Sequence, residues 1–116
     1  RSRGYTMKLP EDARRLRIYI GEEYRYKGRP LYEAIVEKAR RDGLAGATVL
    51  RGVMGFGAGS RVRSSKILVL SADLPLVVEI VDKPERIEAF LPWLDQVIGK
   101  GMFTLEEVTV AAYRHG

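Results

Sequence analysis

The sequence predicts an α+β domain of the ferredoxin-like, split-βαβ type, in which an antiparallel sheet carries both helices on one face. Two observations lead to this fold class. Segments with the two-residue period of strands and segments with helical spacing follow one another as βαβ, an irregular region, and βαβ again. The 116 residues show no repeat and no change of composition, and a chain of this length can bury a single core. We therefore expect one domain over residues 14–116, preceded by a poorly ordered extension over residues 1–13.

The first βαβ unit starts with a strand in which apolar and polar residues alternate from Leu16 to Ile20. Apolar residues at helical spacing then predict a helix over residues 30–42, with a proline in its first turn and a glycine at its end. Residues 47–56 are apolar apart from Arg51 and predict a strand that is covered on both faces.

The second βαβ unit is preceded by a glycine-rich loop over residues 57–66 and a short strand over residues 67–70. Residues 76–81 are apolar and rich in β-branched side chains, and they form the strongest strand pattern of the chain. Asp82 is predicted to be the N-cap of the second helix, and Glu85, three residues later, completes the pattern of a capping box.

The second helix continues at helical spacing to residue 97, with a kink expected at Pro92 because its ring removes a backbone hydrogen bond. The last strand is predicted over residues 108–113. Two helices can cover only one face of such a sheet, whereas the other face carries apolar residues from the second and third strands. We expect copies of the same chain to bury that face in a homo-oligomer.

Composition narrows the classes of function. The chain has no cysteine and one histidine, His115, so disulfides are excluded and a transition-metal cage is not expected. Acid pairs such as Glu22–Glu23 and Glu106–Glu107 are expected to be solvated, so no catalytic constellation is predicted. No apolar run has the length of a membrane helix and no apolar leader precedes the domain. These features favour a cytoplasmic protein that is not an enzyme.

The type of basic residue is more informative about possible ligands than the net charge is. The formal net charge is +5, and 14 of the 20 basic residues are arginine. The arginine fork of donors suits phosphate and carboxylate groups, although thermal adaptation produces a similar composition. Because acidic residues are mixed throughout the chain, this charge supports nucleic-acid binding only weakly.

The sequence GFGAGS at residues 55–60 is the main candidate for a ligand-binding element. One interpretation is a tight turn or bulge that needs glycine at positive φ. The other is a phosphate site, in which glycines bring backbone N–H groups close to a phosphate and nearby side chains donate to it. Arg51, in an apolar strand, also needs an anion, either a ligand or a salt-bridge partner. The residues assigned to this site are Arg51, Gly55, Phe56, Gly57, Gly59, Ser60, Arg61, Arg63 and Lys66.

A second small glycine cluster, Gly99–Lys100–Gly101, joins the second helix to the last strand. In the split-βαβ plan it need not lie at the same end of its subunit as the first loop. Across an oligomer interface, however, two such loops can line one cleft. Gly99, Lys100 and Gly101 are therefore included in the predicted site.

Four blocks, taken together and in order, resemble one known family. The similarity to the PII-like domain-of-unknown-function family of small prokaryotic proteins is carried by LYEAIVEKAR, GLAGATVLRGVMGFG, SADLPLVVEIVD and ERIEAFLP. It covers about residues 16–113. The resemblance implies a trimer with inward-facing sheets and binding of AMP, ADP or ATP in clefts between subunits. It also implies that residues 53–57 lie at the base of a mobile loop beside the nucleotide, and that Lys100 meets phosphates.

The chain also departs from PII proteins. No tyrosine lies between Tyr32 and Tyr113, so the modified tyrosine of the PII loop has no counterpart, and the loop is shorter and more basic. Regulation by tyrosine modification is therefore not transferred. The resemblance implies a non-enzymatic, trimeric regulatory protein that binds adenine nucleotide, requires no cofactor and acts on a protein target. The alternative function is a nucleic-acid-binding module that uses the basic loop.

Overall fold

The computed structural model describes residues 11–56, 63–64 and 74–114. Its elements in chain order are β1 (Glu11–Gly21), β2 (Arg25–Tyr26), β3 (Arg29–Pro30), α1 (Leu31–Arg41), β4 (Thr48–Arg51), β5 (Met54–Gly55), β6 (Arg63–Ser64), β7 (Pro75–Asp82), α2 (Pro84–Val97) and β8 (Met102–Val110). Within the described ranges, four strands form an antiparallel sheet in the order β4–β7–β1–β8, and β2–β3 and β5–β6 form two short ribbons. The predicted α+β, ferredoxin-like fold class is confirmed.

The core lies between the two helices and one face of the sheet. Leu16 of β1 lies opposite Ile80 of β7, and Ile18 lies opposite Val78, and all four side chains are buried. The helices complete this core with Leu31, Ile35, Ala39, Ile87, Phe90 and Leu94. The helical and strand periods of the sequence therefore located the core correctly. Neither helix of the described part of the chain is long and apolar enough to cross a membrane.

β1 begins at Glu11, earlier than the start at Leu16 that alternation predicted. Its first residues pair with the end of β8, starting with Glu11 opposite Val110. Alternation is not visible there because Ala13 is buried on the face opposite to that of Leu16. Residues 11–13 thus belong to the sheet rather than to an extension, and the preceding residues lie outside the described ranges.

β4 ends at Arg51, so the strand predicted over residues 47–56 is shorter than expected. The chain resumes as β5, which pairs with β6 and not with the main sheet. β4 is an edge strand paired with β7, and Leu50 is half exposed. The prediction that this segment is covered on both faces is wrong for the single chain. An apolar run does not distinguish a central strand from an edge strand that a second subunit could cover. The strand predicted over residues 67–70 lies outside the described residues.

β8 spans Met102–Val110, whereas the sequence predicted a strand over residues 108–113. It pairs with β1 along its length, beginning with Met102 opposite Tyr19. The strand was missed because its apolar and polar residues do not alternate regularly, with Glu106 and Glu107 adjacent, and because most of its side chains are exposed. A strand with little burial leaves a weak pattern in the sequence.

α2 has Pro84 in its first turn, as predicted, and continues past Pro92 to its end. The predicted cap is wrong, because Lys83 takes the N-cap position and no side-chain hydrogen bond caps this described helix. Asp82 is instead buried, and its carboxylate accepts hydrogen bonds from the backbone N–H groups of Lys83 at 2.7 Å and Ala45 at 2.9 Å. The aspartate thus joins the segment before β4 to the start of α2.

The face of the sheet away from the helices, here called the open face, has a charged centre. Arg17 Nε donates to Glu79 at 2.7 Å, and Arg15 donates from Nε and Nη2 to Glu106 at 2.9 and 2.7 Å. The hydrogen bond from Arg15 lowers the pKa of Glu106, and the hydrogen bond to Glu79 raises the pKa of Arg17. Apolar residues flank this centre, namely Tyr19, Leu50, Val77 and Val81. The open face is therefore mixed, and not as apolar as the sequence suggested.

Candidate functional site

Arg51, which precedes the first predicted loop, and Gly101 of the second glycine cluster lie at the same end of the sheet, on its opposite edges. The strand registers place Arg51 of β4 opposite Leu76, and Leu76 opposite Ile20. Gly101, which precedes β8, packs against Ile20 from the other side. Because neighbouring strands lie about 4.8 Å apart, Arg51 and Gly101 are separated by about 14 Å across the sheet. The sequence left the relative position of these loops open, and the strand order decides it.

Arg51 is ion-paired within the chain. Its Nη2 donates to Oε2 of Glu22, which follows the last residue of β1, so the two side chains reach across the start of β7. The Arg51 side chain is 60% exposed and that of Glu22 is 21% exposed. Of the two anions that the sequence allowed for Arg51, the structure contains the salt-bridge partner. The expectation that Glu22 is solvated is wrong, because its side chain is largely buried and pairs with Arg51. Glu106 is exposed, as expected, and also pairs with Arg15.

Gly52, which the sequence analysis did not single out, determines the path of the chain beside Arg51. Its N–H donates to the carbonyl oxygen of Pro75 at 2.7 Å. A Cβ atom at Gly52 would lie 2.9 Å from Cγ of Pro75, which is too close for any other residue to fit without movement. No local signal marks this glycine, because its neighbour belongs to a strand that comes later in the chain.

The segment after Gly52 exposes three apolar side chains. Val53, Met54 and Phe56 are 74%, 62% and 72% exposed. Gly55 lies among them in β5, opposite Arg63. Exposed apolar side chains grouped in this way are typical of a ligand-binding or subunit surface. The predicted site residues Gly55 and Phe56 therefore lie next to Arg51 in the chain and at an accessible surface.

Most of the glycine-rich loop lies outside the described residues. This applies to the predicted site residues Gly57, Gly59, Ser60, Arg61 and Lys66, whose assignment stays a prediction. For Arg63 the structure describes the backbone, which pairs with Gly55.

The second glycine cluster presents a lysine at the β8 edge. The ammonium group of Lys100 lies 5.9 Å from the centre of the Tyr24 ring, a residue that the sequence analysis did not nominate. Gly101 has a φ of +120°, and a Cβ atom there would lie 2.5 Å from the carbonyl oxygen of Tyr19. Only glycine fits this position. A Cβ atom at Gly99, by contrast, would meet no described atom within 4 Å.

Other parts of the described structure have fewer features of a ligand-binding or catalytic site. Among the described residues, no group of three or more His, Asp or Glu side chains is placed to hold a metal ion. A cavity of about 390 Å³ lies toward the other end of the open face, where its lining includes Thr48, Glu79, Val110 and Tyr113. The hydroxyl of Tyr113 donates to the carbonyl oxygen of Ala45 at 3.3 Å beside this cavity.

Comparison of the sequence with known proteins places these features in a family. Residues 13–110 match the family model described as DUF190 (Uncharacterized ACR, COG1993). A UPF0166 protein of Aquifex aeolicus (strain VF5) is 41% identical over 97 residues, which cover 82% of this chain and 90% of the relative. A UPF0166 protein of Methanocaldococcus jannaschii is 38% identical over 86 residues, which cover 74% of this chain and 79% of the relative.

Solved structures with a similar fold are PII-like. CPII, a nitrogen regulatory PII-like protein from Thiomonas intermedia K12 bound to ADP, AMP and bicarbonate, matches with a TM-score of 0.60 at 15% identity, covering 88% of this chain and 91% of CPII. A PII-like protein from Thermus thermophilus matches with a TM-score of 0.63 at 19% identity, covering 86% of this chain and 90% of that one. At these identities the likeness establishes the fold. Together the matches confirm the resemblance that the four sequence blocks indicated.

Proposed function

Because the chain belongs to the DUF190 family and has a PII-like fold, we propose that it is a trimeric regulatory protein that binds an adenine nucleotide in clefts between its subunits. The ligand in this proposal is AMP, ADP or ATP, and no reaction is catalysed. Nucleotide binding would change the surface that a protein target recognises. The cytoplasm is the location that this role implies.

The observation that carries the proposal is the position of Arg51 and Lys100, which lie at one end of the sheet on opposite edges. In a closed ring of identical subunits, one surface of each subunit meets a different surface of the next, and in the proposed trimer these surfaces are the β4 edge and the β8 edge. Arg51 of one subunit and Lys100 of its neighbour would then flank one cleft, whereas within a subunit the width of the sheet separates them. Two cations on facing walls are suited to the phosphates of a nucleotide.

Exposed apolar side chains on both edges support an assembly of this kind. Leu50 on β4 is 48% exposed, and Met102 and Leu105 on β8 are 56% and 41% exposed. Edge strands present backbone groups and side chains to which a further chain can pair. Contact between the β4 edge and the β8 edge of a neighbour would bury these side chains.

The exposed segment after β4 suggests how the ligand would be oriented. The ring of Phe56 lies exposed beside β5, and aromatic rings bind planar bases by stacking. The glycines of GFGAG would let backbone N–H groups approach the phosphates, and Arg61 and Arg63 would add positive charge. The choice of adenine rests on the likeness to CPII, whose structure contains ADP and AMP.

Isothermal titration of the purified protein with AMP, ADP and ATP tests the proposal, with GTP as the control for the base. We expect saturable binding of at least one adenine nucleotide and a mass, by light scattering, of three subunits. No heat at millimolar nucleotide, together with a melting temperature that nucleotide leaves unchanged, would overturn the proposed ligand. A monomer in solution would overturn the inter-subunit cleft.

The nucleic-acid alternative predicts a different result in a parallel measurement. If the arginines bind phosphate backbones, labelled oligonucleotides should bind with an affinity that falls steeply as salt is raised, and free nucleotides should compete poorly. Fluorescence anisotropy at two salt concentrations, with ADP as the competitor, separates the two functions.

A further inference from the structure

Glu22 places a carboxylate beside the arginine that we propose to bind phosphate. Its Oε2 accepts a hydrogen bond from Nη2 of Arg51, and its side chain is more buried than that of the arginine. The backbone N–H of Glu22 donates to the carbonyl oxygen of Leu74 at 2.9 Å. The backbone that carries this carboxylate is therefore anchored to the sheet.

The partners of this ion pair are held by adjacent residues of the chain. The carbonyl oxygen of Leu74 accepts from Glu22 on one side, and that of Pro75 accepts from Gly52 at 2.7 Å on the other. Glu22 and Arg51, which precedes Gly52, are thus fixed on either side of the start of β7. The ion pair therefore crosses the start of β7, and it can form because β7 lies between β4 and β1 in the sheet.

We propose that Glu22 is an internal competitor for Arg51, an anion that occupies the arginine in the ligand-free protein and that the phosphate of the ligand displaces. This inference rests on the proposed function, because it concerns the same phosphate site. An ion pair as exposed as this one contributes little to stability, so a phosphate group can replace the carboxylate. Glu22 then lowers the affinity for every phosphate ligand that binds Arg51. When such a ligand binds, the ion pair between Glu22 and Arg51 breaks.

The competitor role predicts an effect opposite to that of a positioning role. If Glu22 merely held Arg51 in a binding geometry, its removal would weaken phosphate binding. If it competes, its removal strengthens binding by an amount that reflects the free energy of the exposed ion pair, which corresponds to about a three- to five-fold change. The effect should also depend on the presence of Arg51.

Glu22→Gln keeps the shape of the side chain and the backbone hydrogen bond while removing the charge. Glu85→Gln is the matched control, because Glu85 is exposed in the first turn of α2, which follows the other end of β7, and the charge change is the same. Isothermal titration with ADP, and with inorganic tripolyphosphate as a probe of phosphate contact without a base, should give about a three- to five-fold gain in affinity for Glu22→Gln. Glu85→Gln should match the wild type.

A double-mutant cycle completes the experiment. In an Arg51→Gln background, Glu22→Gln should change the affinity for ADP no more than the control substitution does. If the wild type binds ADP and Glu22→Gln binds it equally well or more weakly, the competitor role is overturned and the proposed function stands. A gain that persists without Arg51 also overturns it. If neither the wild type nor Glu22→Gln binds nucleotide or tripolyphosphate, both proposals fail.

Discussion

The carboxylate of Asp82, a fully buried residue at the end of β7, accepts a hydrogen bond from the backbone N–H of Ala45 at 2.9 Å. Its other oxygen accepts from the N–H of Lys83 at 2.7 Å, and Nε of Arg86 lies 3.4 Å from the carboxylate. Arg86 in turn donates to the carbonyl oxygen of Gly43 at 2.5 Å. These contacts tie the connection between α1 and β4 to the first turn of α2.

We predict that Asp82→Asn lowers the free energy of unfolding by about 2 kcal/mol, because it removes a buried charge from a network that depends on it. The amide retains one acceptor oxygen but points a donor at groups that also donate. Urea denaturation measures the effect. Asp95→Asn, on the exposed side of α2, is the control and should stay within about 0.5 kcal/mol of the wild type. Equal losses in the two variants would contradict the prediction.

Gly101→Ala should destabilise the protein by roughly 2 kcal/mol or more, because its φ of +120° is unfavourable for other residues and the new methyl group would meet the Tyr19 carbonyl. Gly99→Ala is the matched control two residues earlier, where the described structure leaves room for a methyl group. Thermal and urea unfolding of both variants test the difference. A stable Gly101→Ala protein would show that the loop before β8 takes another path.

The ion pair of Glu106 with Arg15 should make part of the stability depend on pH. Because the hydrogen bond from Arg15 lowers the pKa of Glu106, the carboxylate adds stability that is fully present above its unfolded pKa of about 4.3. This contribution is lost as the pH falls through the lowered folded pKa. The wild type should be more stable than Glu106→Gln at neutral pH, and the two should converge in acid.

Urea midpoints measured from neutral pH down to about pH 3 test this convergence. Glu107→Gln, whose side chain lies on the other face of β8, controls for the general loss of one negative charge. A constant difference between the wild type and Glu106→Gln across this range would show that Glu106 stabilises the fold by packing.

Leu50→Asp should reduce the mass measured by light scattering from that of the proposed trimer to that of a single subunit. Leu50 is a half-exposed residue on the edge strand β4, and a carboxylate there would be unpaired in an apolar contact. Ala89→Asp, which introduces the same charge at an exposed position on α2 and away from both sheet edges, is the control. An unchanged mass for Leu50→Asp would show that β4 does not form the subunit interface.

Mixed oligomers test whether each cleft takes residues from two subunits. Arg51→Gln and Lys100→Gln should each weaken ADP binding when assembled alone, because each removes one cation from every cleft. When the two variants are refolded together, some clefts combine the intact Arg51 of one subunit with the intact Lys100 of its neighbour. Partial recovery of tight binding by isothermal titration is expected. No recovery would indicate that both residues act from the same subunit.

The elements with strong periods could be predicted from the sequence, and those with weak periods could not. β7 and the apolar faces of both helices are buried, so their spacing is visible in the sequence. The first residues of β1 escaped prediction because Ala13 is buried on the face opposite to that of Leu16, and most of β8 escaped prediction because its side chains are exposed. The periodicity of apolar residues reflects burial within a subunit. It does not predict a strand that is held mainly by backbone hydrogen bonds.

The candidate site was predictable only in part for the same reason. Gly55, Phe56 and Lys100 could be nominated because glycine, aromatic and basic residues cluster in short segments. The sequence predicts Glu22 to be one of two adjacent solvated acids, and it contains no signal that marks Gly52. The roles of both residues depend on contacts with residues that are remote in the chain, Arg51 for Glu22 and Pro75 for Gly52.

The recurrence of apolar residues along the chain was sufficient to predict the helices, the central strands and the core, and the four sequence blocks were sufficient to indicate the family. The folded chain shows which distant residues are in contact: Arg51 with Glu22, Gly52 with Pro75, and Asp82 with Ala45. The same holds for the finding that Arg51 and Gly101 lie at one end of the sheet, on its opposite edges. The physical reason is that a repeat of two or 3.6 residues is a local property of the chain, whereas strand order and register arise when the whole core is buried at once.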